Sequence, residues 1–476
     1  MPYLLWTAAL TYVLSLYLLR WVLLLKKREP TSSVAWILLI VVLPVLGGLL
    51  FLVFGINRVE RKAVGMKRQT RRVLGPILPE LSQFESPPAN SREPLRNGLL
   101  RMATQINLMP ATFGNRIEVL NETPRTLALM EQAIESASQT LHLEYYIWRP
   151  DRTGTRLRDM LIQKARQGVA VRFLYDGIGS MTLSRRFLRP MREAGILVAS
   201  FLPGRAFLHR WSVNLRSHRK ILVVDGQVGF TGGMNIGDEY LGKNPQLGFW
   251  RDTHLRLHGP AVLQLQQVFV EDWLFATNEE LLLAEVFPTP QACGEIVAQV
   301  LVGEPIGDLS TFHSVLFAAI TDARKQILLT ASYFVPPESL VTSLETAARQ
   351  GVRVRLLLSS RCAYFWTLAA GRSYYESLLR AGVEIYEYQH GLMHAKTLTI
   401  DSQWSLVGTA NFDTRSLFLN FEVGVAVYDE GIATQLEEQF ERDVARSNRI
   451  ALDEWLERPE RQVLTENVWR LFAPVL

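Results

Sequence analysis

The chain has 476 residues, enough for two sizeable hydrophobic cores and a smaller attached segment. Its net charge of +5 is modest for this length, so charge alone does not favour a nucleic-acid-binding protein. Cys293 and Cys362 are its two cysteines, which excludes a disulfide framework and a cysteine-based zinc site.

Two apolar stretches open the chain. Arg20 is the only charge from residue 3 to residue 25, and residues 31–56 carry none. Each stretch supplies roughly 20 apolar residues, the length that crosses about 30 Å of hydrocarbon as a helix. Because two such stretches are joined by the short segment 26–30, we predict a transmembrane helical hairpin over residues 1–57. A signal peptide is the alternative, but it would need a basic start.

A basic segment follows the second stretch. Seven lysines and arginines stand against one glutamate between Arg58 and Arg72, compared with three bases in the loop 26–30. The side richer in bases is usually cytoplasmic, so we predict a multi-pass protein of the inner membrane with its main body in the cytoplasm. The basic segment suits either contact with anionic headgroups or a solvated position. Prolines then predict a linker over about 75–100, within a region assigned to residues 58–105.

The remainder consists of two similar halves, residues 106–290 and 291–476, in which predicted helices and strands alternate. Such alternation predicts an α/β fold, here two pseudo-symmetric α/β/α halves preceded by the hairpin. The corresponding segments are the helices 126–138 and 312–325, the strands 140–147 and 326–330, and the helix–glycine–strand segments 166–172 and 349–355.

One short motif occurs once in each half. It consists of His, then Lys two residues later, Asp seven residues later, a pair of small residues and Asn. The chain has only eight histidines, and two of them open this pattern with every offset matched, so chance explains it poorly. The first copy is His218, Lys220, Asp225, Gly232-Gly233 and Asn235, and the second is His394, Lys396, Asp401, Gly408-Thr409 and Asn411.

The spacing within the motif has a chemical meaning. An apolar run after each histidine predicts a strand, on which side chains two apart share a face, so each histidine lies beside its lysine. Asp225 and Asp401 fall at odd offsets, which predicts that they point to the other face and hold loop and strand ends. Histidine, with a pKa near 6.5, serves as nucleophile or proton carrier, and lysine attracts an anion. The small pairs are expected to bring backbone close to a ligand. Two such half-sites suit a phosphodiester.

These two motifs resemble those of the phospholipase D superfamily. Further segments resemble bacterial cardiolipin synthases, and the similarity extends over nearly the whole chain. They are Asn214-x-Arg216-x-His218-Arg219-Lys220, Gly408-Thr409-Ala410-Asn411-Phe412-Asp413-x-Arg415-Ser416, Leu419-Asn420-Phe421-Glu422-Val423 and the C-terminal tail from Arg458.

The resemblance implies a set of roles for the site residues. The six His, Lys and Asp residues of the two motifs form the catalytic set, in which His218 attacks phosphorus to give a phosphohistidine and His394 transfers protons. The two lysines, with Asn235 and Asn411, hold the phosphate oxygens. Asp252 and Glu422 orient the histidines through their other ring nitrogens. Neither a metal nor another cofactor is expected.

The resemblance further implies a cardiolipin synthase, which transfers a phosphatidyl group between two phosphatidylglycerol molecules and releases glycerol. The expected partners are this phospholipid and the membrane, not nucleic acid. The aromatic segment around Phe207 and Trp211 suits either a packed loop or the membrane interface; in the second case it would, with Tyr364-Phe365-Trp366, hold the site at a bilayer surface. A hydrolase, or a phosphatidyltransferase with another acceptor alcohol, remains an alternative. The mild charge disfavours a membrane-tethered nuclease, and two intact motifs disfavour a non-catalytic scaffold.

Overall fold

The computed structural model describes residues 2–24, 30–55, 81–85, 94–107, 109–202, 215–243, 248–281, 285–305, 310–362 and 364–473. Its helices, numbered in chain order, are α1 (Pro2–Leu24), α2 (Pro30–Val42), α3 (Pro44–Leu50), α4 (Pro94–Asn107), α5 (Thr123–Ser136), α6 (Arg152–Arg166), α7 (Arg185–Glu193), α8 (Ala261–Thr277), α9 (Thr311–Asp322), α10 (Glu338–Arg349), α11 (Phe365–Arg372), α12 (Tyr375–Arg380), α13 (Thr414–Phe418), α14 (Glu430–Val444), α15 (Leu452–Leu456) and α16 (Glu460–Arg470). A π-helical turn, Phe51–Gly55, follows α3, and a 3-10 helix spans Asp238–Leu241.

The strands are β1 (Thr112–Leu120), β2 (Thr140–Tyr145), β3 (Ala170–Asp176), β4 (Leu197–Phe201), β5 (Lys220–Val224), β6 (Val228–Gly232), β7 (Trp250–Arg251), β8 (His254–His258), β9 (Ile296–Gly303), β10 (Gln326–Ala331), β11 (Phe334–Val335), β12 (Arg353–Ser359), β13 (Glu384–Tyr388), β14 (Leu392–Met393), β15 (Thr397–Ile400), β16 (Trp404–Gly408), β17 (Phe412–Asp413), β18 (Glu422–Val427) and β19 (Ser447–Arg449).

The strands of the main sheet repeat one order on both sides of its centre. From the centre outward, the first half runs β1-β8-β6-β5-β2-β3-β4 and the second runs β9-β18-β16-β15-β10-β12-β13, with β19 at the far edge. The antiparallel pair β1–β9 joins the halves into one sheet of 15 strands. This order confirms the predicted α/β fold with two repeated domains.

Local sequence explains the repeated helix–strand units. Helices α6 and α10 both end shortly before a glycine, Gly168 or Gly351, whose φ angles are 94° and 91°. A left-handed residue at this position costs a glycine little, so the chain leaves the helix and enters β3 or β12. Both predicted helix–glycine–strand segments are therefore confirmed.

Three of the hydrophobic cores that support the sheet show how the halves are built. One fills the first half around Leu143 and Phe173, and another fills the second half around Leu329 and Leu356. A third lies where the halves meet and combines side chains from both, such as Val223 with Val425. Burial of this shared apolar surface stabilises the contact between the halves on which the site depends.

The predicted linker over residues 75–100 is wrong from Pro94 onward. There the chain forms α4, whose Leu99, Leu100 and Ala103 are buried in the core of the second half against α9. The segment therefore belongs to the packed body, although the first half follows it in sequence. The basic residues between Arg58 and Arg72 and the aromatic residues Phe207 and Trp211 lie outside the described residues.

The N-terminal segment forms helices over both predicted apolar stretches. Helix α1 contacts α2 and α3, and a small cluster of Leu18, Val22, Ile40 and Phe51 joins α1 to α2 and to the π-helical turn. The second stretch is interrupted between α2 and α3, where Pro44 begins a new helix. Within the part of the chain described here, no helix is long and apolar enough to cross a membrane. The predicted transmembrane hairpin is thus not supported in that form.

Candidate active site

Each predicted histidine lies shortly before a central strand of its half. His218 precedes β5 and His394 precedes β15, and alternation along the chain puts Lys220 and Lys396 on the same face. The ammonium group of Lys220 donates to the backbone carbonyl of His218 at 2.5 Å, and Lys396 donates to the carbonyl of His394. All four side chains are buried. Each half thus delivers one imidazole and one ammonium group to the site.

Backbone hydrogen bonds connect each histidine to the opposite half. The amide of His218 donates to the carbonyl of Phe421 at 2.8 Å, and the amide of His394 donates to the carbonyl of Arg251 at 2.7 Å. The second contact extends the parallel pair of β14 with β7. Phe421 and Arg251 immediately precede the two predicted acids, so these bonds fix where each acid meets a histidine.

The two acids serve the histidines of opposite halves. Nδ1 of His218 lies 3.0 Å from both carboxylate oxygens of Glu422, and Nδ1 of His394 lies 2.7 Å from a carboxylate oxygen of Asp252. A carboxylate on Nδ1 accepts its proton and fixes the tautomer in which Nε2 carries the lone pair. A histidine acts as a nucleophile or a base through this lone pair on Nε2. The structure therefore brings these four predicted residues together, in crossed pairs.

The small residue pairs make room for these acids. A Cβ atom on Gly233 would lie 2.1 Å from a carboxylate oxygen of Asp252. At the equivalent position the second motif has Thr409, whose hydroxyl donates to Glu422 at 2.6 Å. The acid therefore occupies the space beside Gly233, and the close approach of backbone to a ligand at these positions stays a prediction.

Burial and charge set the protonation of the pairs. Burial lowers the pKa of His218 to about 4, against the attraction of Glu422, and lowers that of His394 to about 4, with the charge of Lys396 acting in the same direction. Burial alone would raise the pKa of both acids, but the neighbouring histidine and lysine charges outweigh it and lower each one. Ionised acids and neutral histidines suit nucleophilic attack at neutral pH.

The pKa values of the two lysines lie close to neutral pH. Burial lowers the pKa of Lys220 to about 7 and that of Lys396 to about 8, against the attraction of the ionised Asp252 and Glu422. An anionic ligand between the lysines stabilises their charged forms. The site is therefore suited to bind a phosphodiester and to become more positively charged as it does so.

The two asparagines differ in their surroundings. Asn235 donates through Nδ2 to the hydroxyl of Tyr240 at 2.8 Å and accepts from the amide of Ile147 at 3.0 Å. Asn411 has a buried Oδ1 atom without a hydrogen-bond partner in the structure. An amide oxygen accepts hydrogen bonds, as a phosphate oxygen does, so a phosphate would be bound through Nδ2. The Nδ2 of Asn235 is already engaged with Tyr240, which makes Asn411 the more available of the two for such a ligand.

Asp225 and Asp401 occupy structural positions. Asp225 accepts from the backbone amides of residues 138–140, and Asp401 accepts from those of residues 324–326, at 2.7–2.9 Å. The bonds of Asp225 tie the turn after β5 to the start of β2, and those of Asp401 tie the turn after β15 to the start of β10. Their inclusion in the catalytic set is therefore corrected, since the carboxylates are engaged away from the histidines.

Comparison with known proteins agrees with this geometry. A family model described as cardiolipin synthase, phospholipase D-like domain, matches residues 130–273 and 316–444, more than half of the chain. A cardiolipin synthase of Geobacillus kaustophilus (strain HTA426) is 39% identical over 95% of this chain and 90% of its own. Cardiolipin synthase 2 of Bacillus anthracis is 36% identical over 98% of this chain and 91% of its own. The chain belongs to the phospholipase D-like cardiolipin synthase family.

Two further matches concern the N-terminal segment and the fold. A model described as phospholipase D-nuclease N-terminal matches residues 13–55. A phosphatidylserine synthase structure from Haemophilus influenzae Rd KW20 aligns with a TM-score of 0.60 and 15% identity, over 80% of this chain and 100% of that one. At this identity the likeness shows a shared fold.

Two buried arginines beside the site residues were not predicted from the sequence. Arg219 is fully buried, forms an ion pair with Asp272 of α8, and donates to the carbonyl of Glu422 at 3.2 Å. Arg251 lies 2.9 Å from Asp443 of α14. Each arginine thus attaches a strand of the site to the helix packed below it. The sequence indicated these arginines only by their position, because each directly adjoins a predicted site residue.

The remaining described histidines lie outside the catalytic pairs. His142 accepts or donates at Gln266, His313 contacts Ser339, and Nδ1 of His254 accepts from the amide of Met234. In the described ranges, no group of three or more His, Cys, Asp or Glu side chains has the arrangement of a metal site. The absence of a metal requirement stays a prediction.

Proposed function

We propose that the protein synthesises cardiolipin from two phosphatidylglycerol molecules through a phosphohistidine intermediate. The observation that carries this proposal is the pair of crossed histidine–acid contacts, His218 with Glu422 and His394 with Asp252. Two oriented imidazoles in one site supply a nucleophile and a proton carrier, the two groups that a two-step transfer needs. The family and its curated relatives support the same activity.

In the first step, Nε2 of His218 attacks the phosphorus of one phosphatidylglycerol. The bond from phosphorus to the headgroup glycerol breaks as the nitrogen–phosphorus bond forms, and His394 gives a proton to the departing oxygen. His394 is neutral in the free site, because burial and Lys396 lower its pKa to about 4. A bound phosphodiester offsets the lysine charge, so proton uptake accompanies substrate binding.

In the second step, a second phosphatidylglycerol brings its headgroup hydroxyl to the phosphohistidine. Neutral His394 removes the hydroxyl proton, the oxygen attacks phosphorus, and the bond to His218 breaks. Cardiolipin leaves, His394 releases its proton to solvent as the anionic ligand departs, and His218 is again a free neutral imidazole. Lys220, Lys396 and Asn411 stabilise the charge that moves onto the phosphate oxygens in both steps. Asn235 acts indirectly in these steps, because its hydrogen bond to the Tyr240 hydroxyl positions that side chain.

We further propose that the N-terminal helices attach the protein to the inner membrane, with the body in the cytoplasm. Large apolar side chains of α1 and α2 are exposed to solvent in the structure, among them Trp6, Leu23, Leu38 and Val41. Such exposure over two neighbouring helices is unusual for a soluble surface. In this proposal the regions 1–57, 58–105, 106–290 and 291–476 remain the working division, with α4 packed onto the last of them.

The deciding experiment uses the full-length protein and vesicles of phosphatidylglycerol labelled in the headgroup glycerol. Release of labelled glycerol together with cardiolipin supports the transferase. Accumulation of phosphatidic acid as the main product would replace the synthase with a hydrolase. The same assay with EDTA tests the absence of a metal requirement, and an activity lost to EDTA and restored by Mg²⁺ or Zn²⁺ would contradict it.

A further inference from the structure

An apolar patch is exposed on the second half of the body. It consists of the segment 364–366 and the side chains Leu464, Val468, Leu471 and Phe472 at the C-terminal helix α16. Phe365 is 62% exposed, Leu464 is 64% exposed and Leu471 is 78% exposed. Leu464 and Val468 are one helical turn apart on α16, and Leu471 and Phe472 directly follow its end.

Aromatic contacts join the two parts of the patch into one surface. The rings of Tyr364 and Trp366 stack at 5.3 Å, Trp366 lies 6.1 Å from Trp469, and Trp469 lies 5.8 Å from Phe472. Helix α11, which carries Phe365 and Trp366, packs directly against α16. The exposed residues are therefore held together by folded structure.

Buried packing contacts connect the patch to the second half-site. A Cβ on Gly371 of α11 would lie 2.7 Å from the carbonyl of Phe334, so α11 lies directly on β11. The ring of Phe334 stacks on Phe412 at 5.6 Å, and Phe412 follows Asn411 in the chain. A route of packed residues thus leads from a predicted phosphate-binding residue to the exposed aromatic surface.

Charge around the patch is balanced. Arg470 of α16 lies 3.6 Å from Glu338, and Arg461 directly follows Glu460. Attraction of anionic headgroups is therefore a minor contribution here, and contact through apolar side chains dominates. Aromatic and large aliphatic side chains of this kind are favoured at the boundary of headgroups and acyl chains.

We infer that this patch inserts into the bilayer that supplies the lipid substrate, as a second membrane contact separate from the N-terminal helices. The occupant is a phospholipid surface, because the patch adjoins a site whose two substrates both carry acyl chains. Insertion here holds the second half-site at the level of the headgroups. The inference rests on the proposed function for its choice of lipid, but its test requires no turnover.

The test places a single cysteine at position 471 or 365 of the full chain, in a background with Cys293→Ser and Cys362→Ser. Each cysteine is labelled with an environment-sensitive dye, and the protein is reconstituted in phosphatidylglycerol vesicles that contain spin-labelled lipid. Leu197 on β4 is the matched control, since it is also an exposed leucine. We expect quenching at 471 and 365 to exceed that at 197 several-fold and to persist in high salt.

Equal quenching at the three positions would overturn the inference, and so would a dye signal at 471 that depends on protein concentration and not on spin-labelled lipid. The variant Phe365→Ser/Leu464→Ser/Leu471→Ser adds an independent readout. We expect it to lose about tenfold of its activity on vesicles while retaining activity on short-chain, monomeric phosphatidylglycerol. Loss of both activities in this variant would show that these residues act on the site itself and would contradict the inference. Failure of the unsubstituted protein to form cardiolipin, with strong quenching at 471 and 365, would instead count against the proposed transferase alone.

Discussion

The two half-sites perform the same orienting task with different side chains. In the first half Asp252 lies beside Gly233, and in the second Glu422 lies beside Thr409. The positions are equivalent, because the amide of Gly233 donates to the carbonyl of Thr253 as the amide of Thr409 donates to that of Val423.

The difference shows that acid length and the neighbouring small residue form one unit. A short aspartate needs the empty space beside a glycine, whereas a glutamate reaches past a threonine and accepts from its hydroxyl. Each unit lies within one half but orients the histidine of the other half. The two half-sites therefore share one geometry, although a different pair of residues produces it in each half.

Removal of either histidine tests most severely whether the half-sites have different tasks. We expect His218→Ala to lose all measurable turnover, and His394→Ala to lose about 10²–10⁴-fold, the usual size of acid–base assistance. With a phosphatidyl donor whose leaving group needs no proton, the His394→Ala variant should still accumulate a phosphoenzyme detectable by mass spectrometry. An adduct on His394 in the His218→Ala variant would reverse the assignment.

The substitution Gly233→Ala tests the space beside Asp252. The new methyl group would overlap the carboxylate, so we expect His394 to lose its orienting acid and kcat/KM to fall by about 10²-fold. Thr409→Ala removes one hydrogen bond to Glu422, worth about 1 kcal/mol, and should cost only about fivefold. Gly98→Ala is the control, because its Cβ would meet only Asp322, at 3.7 Å. Equal losses for the two site variants would refute the distinction.

Exchange of the acid tests whether acid and small residue act as a pair. Glu422→Asp alone should lower kcat by about tenfold, because the shortened carboxylate meets the Thr409 side chain. Adding Thr409→Gly copies the first half-site, and we expect it to recover part of the loss, with a coupling free energy of about 1 kcal/mol. Additive effects in this double-mutant cycle would show that the two positions are independent.

The dependence of kcat/KM on pH is expected to show the smallest difference between the half-sites. The pKa values of Lys220 and Lys396 are lowered to about 7 and about 8, so each lysine loses its charge as the pH rises through its value. We expect kcat/KM to decline by a few-fold per pH unit above about 7. Lys396→Arg should move the upper inflection to higher pH, because a guanidinium stays charged. A profile that stays flat to pH 9 would contradict this.

Much of the fold was predictable because it depends on local signals. Periodicity and glycines located β5, β15 and the helix–strand units, and the repeated motif identified the histidines and lysines that meet. The crossed pairing of Asp252 and Glu422 was not predictable, since short parallel contacts such as β14 with β7 join segments more than 100 residues apart. Spacing along one chain carries no information on which of two equivalent histidines an acid reaches.

Two other features escaped prediction for related physical reasons. Helix α4 begins at a proline within a proline-rich segment, and only its burial against α9 reveals that Leu99 and Leu100 belong to a core. Arg219 occupies the variable position of the first motif, on the opposite face to His218. Its role depends on Asp272, which lies on α8 and is distant in sequence.

The crossed backbone contacts constrain how the lipids reach the site. If the halves moved apart, the hydrogen bonds of His218 with Phe421 and of His394 with Arg251 would break along with both histidine–acid pairs. Hinge-type opening would therefore dismantle the catalytic groups on every turnover. We therefore expect the two halves to stay together throughout the cycle, so that two diacyl substrates enter and one four-chain product leaves without separating them.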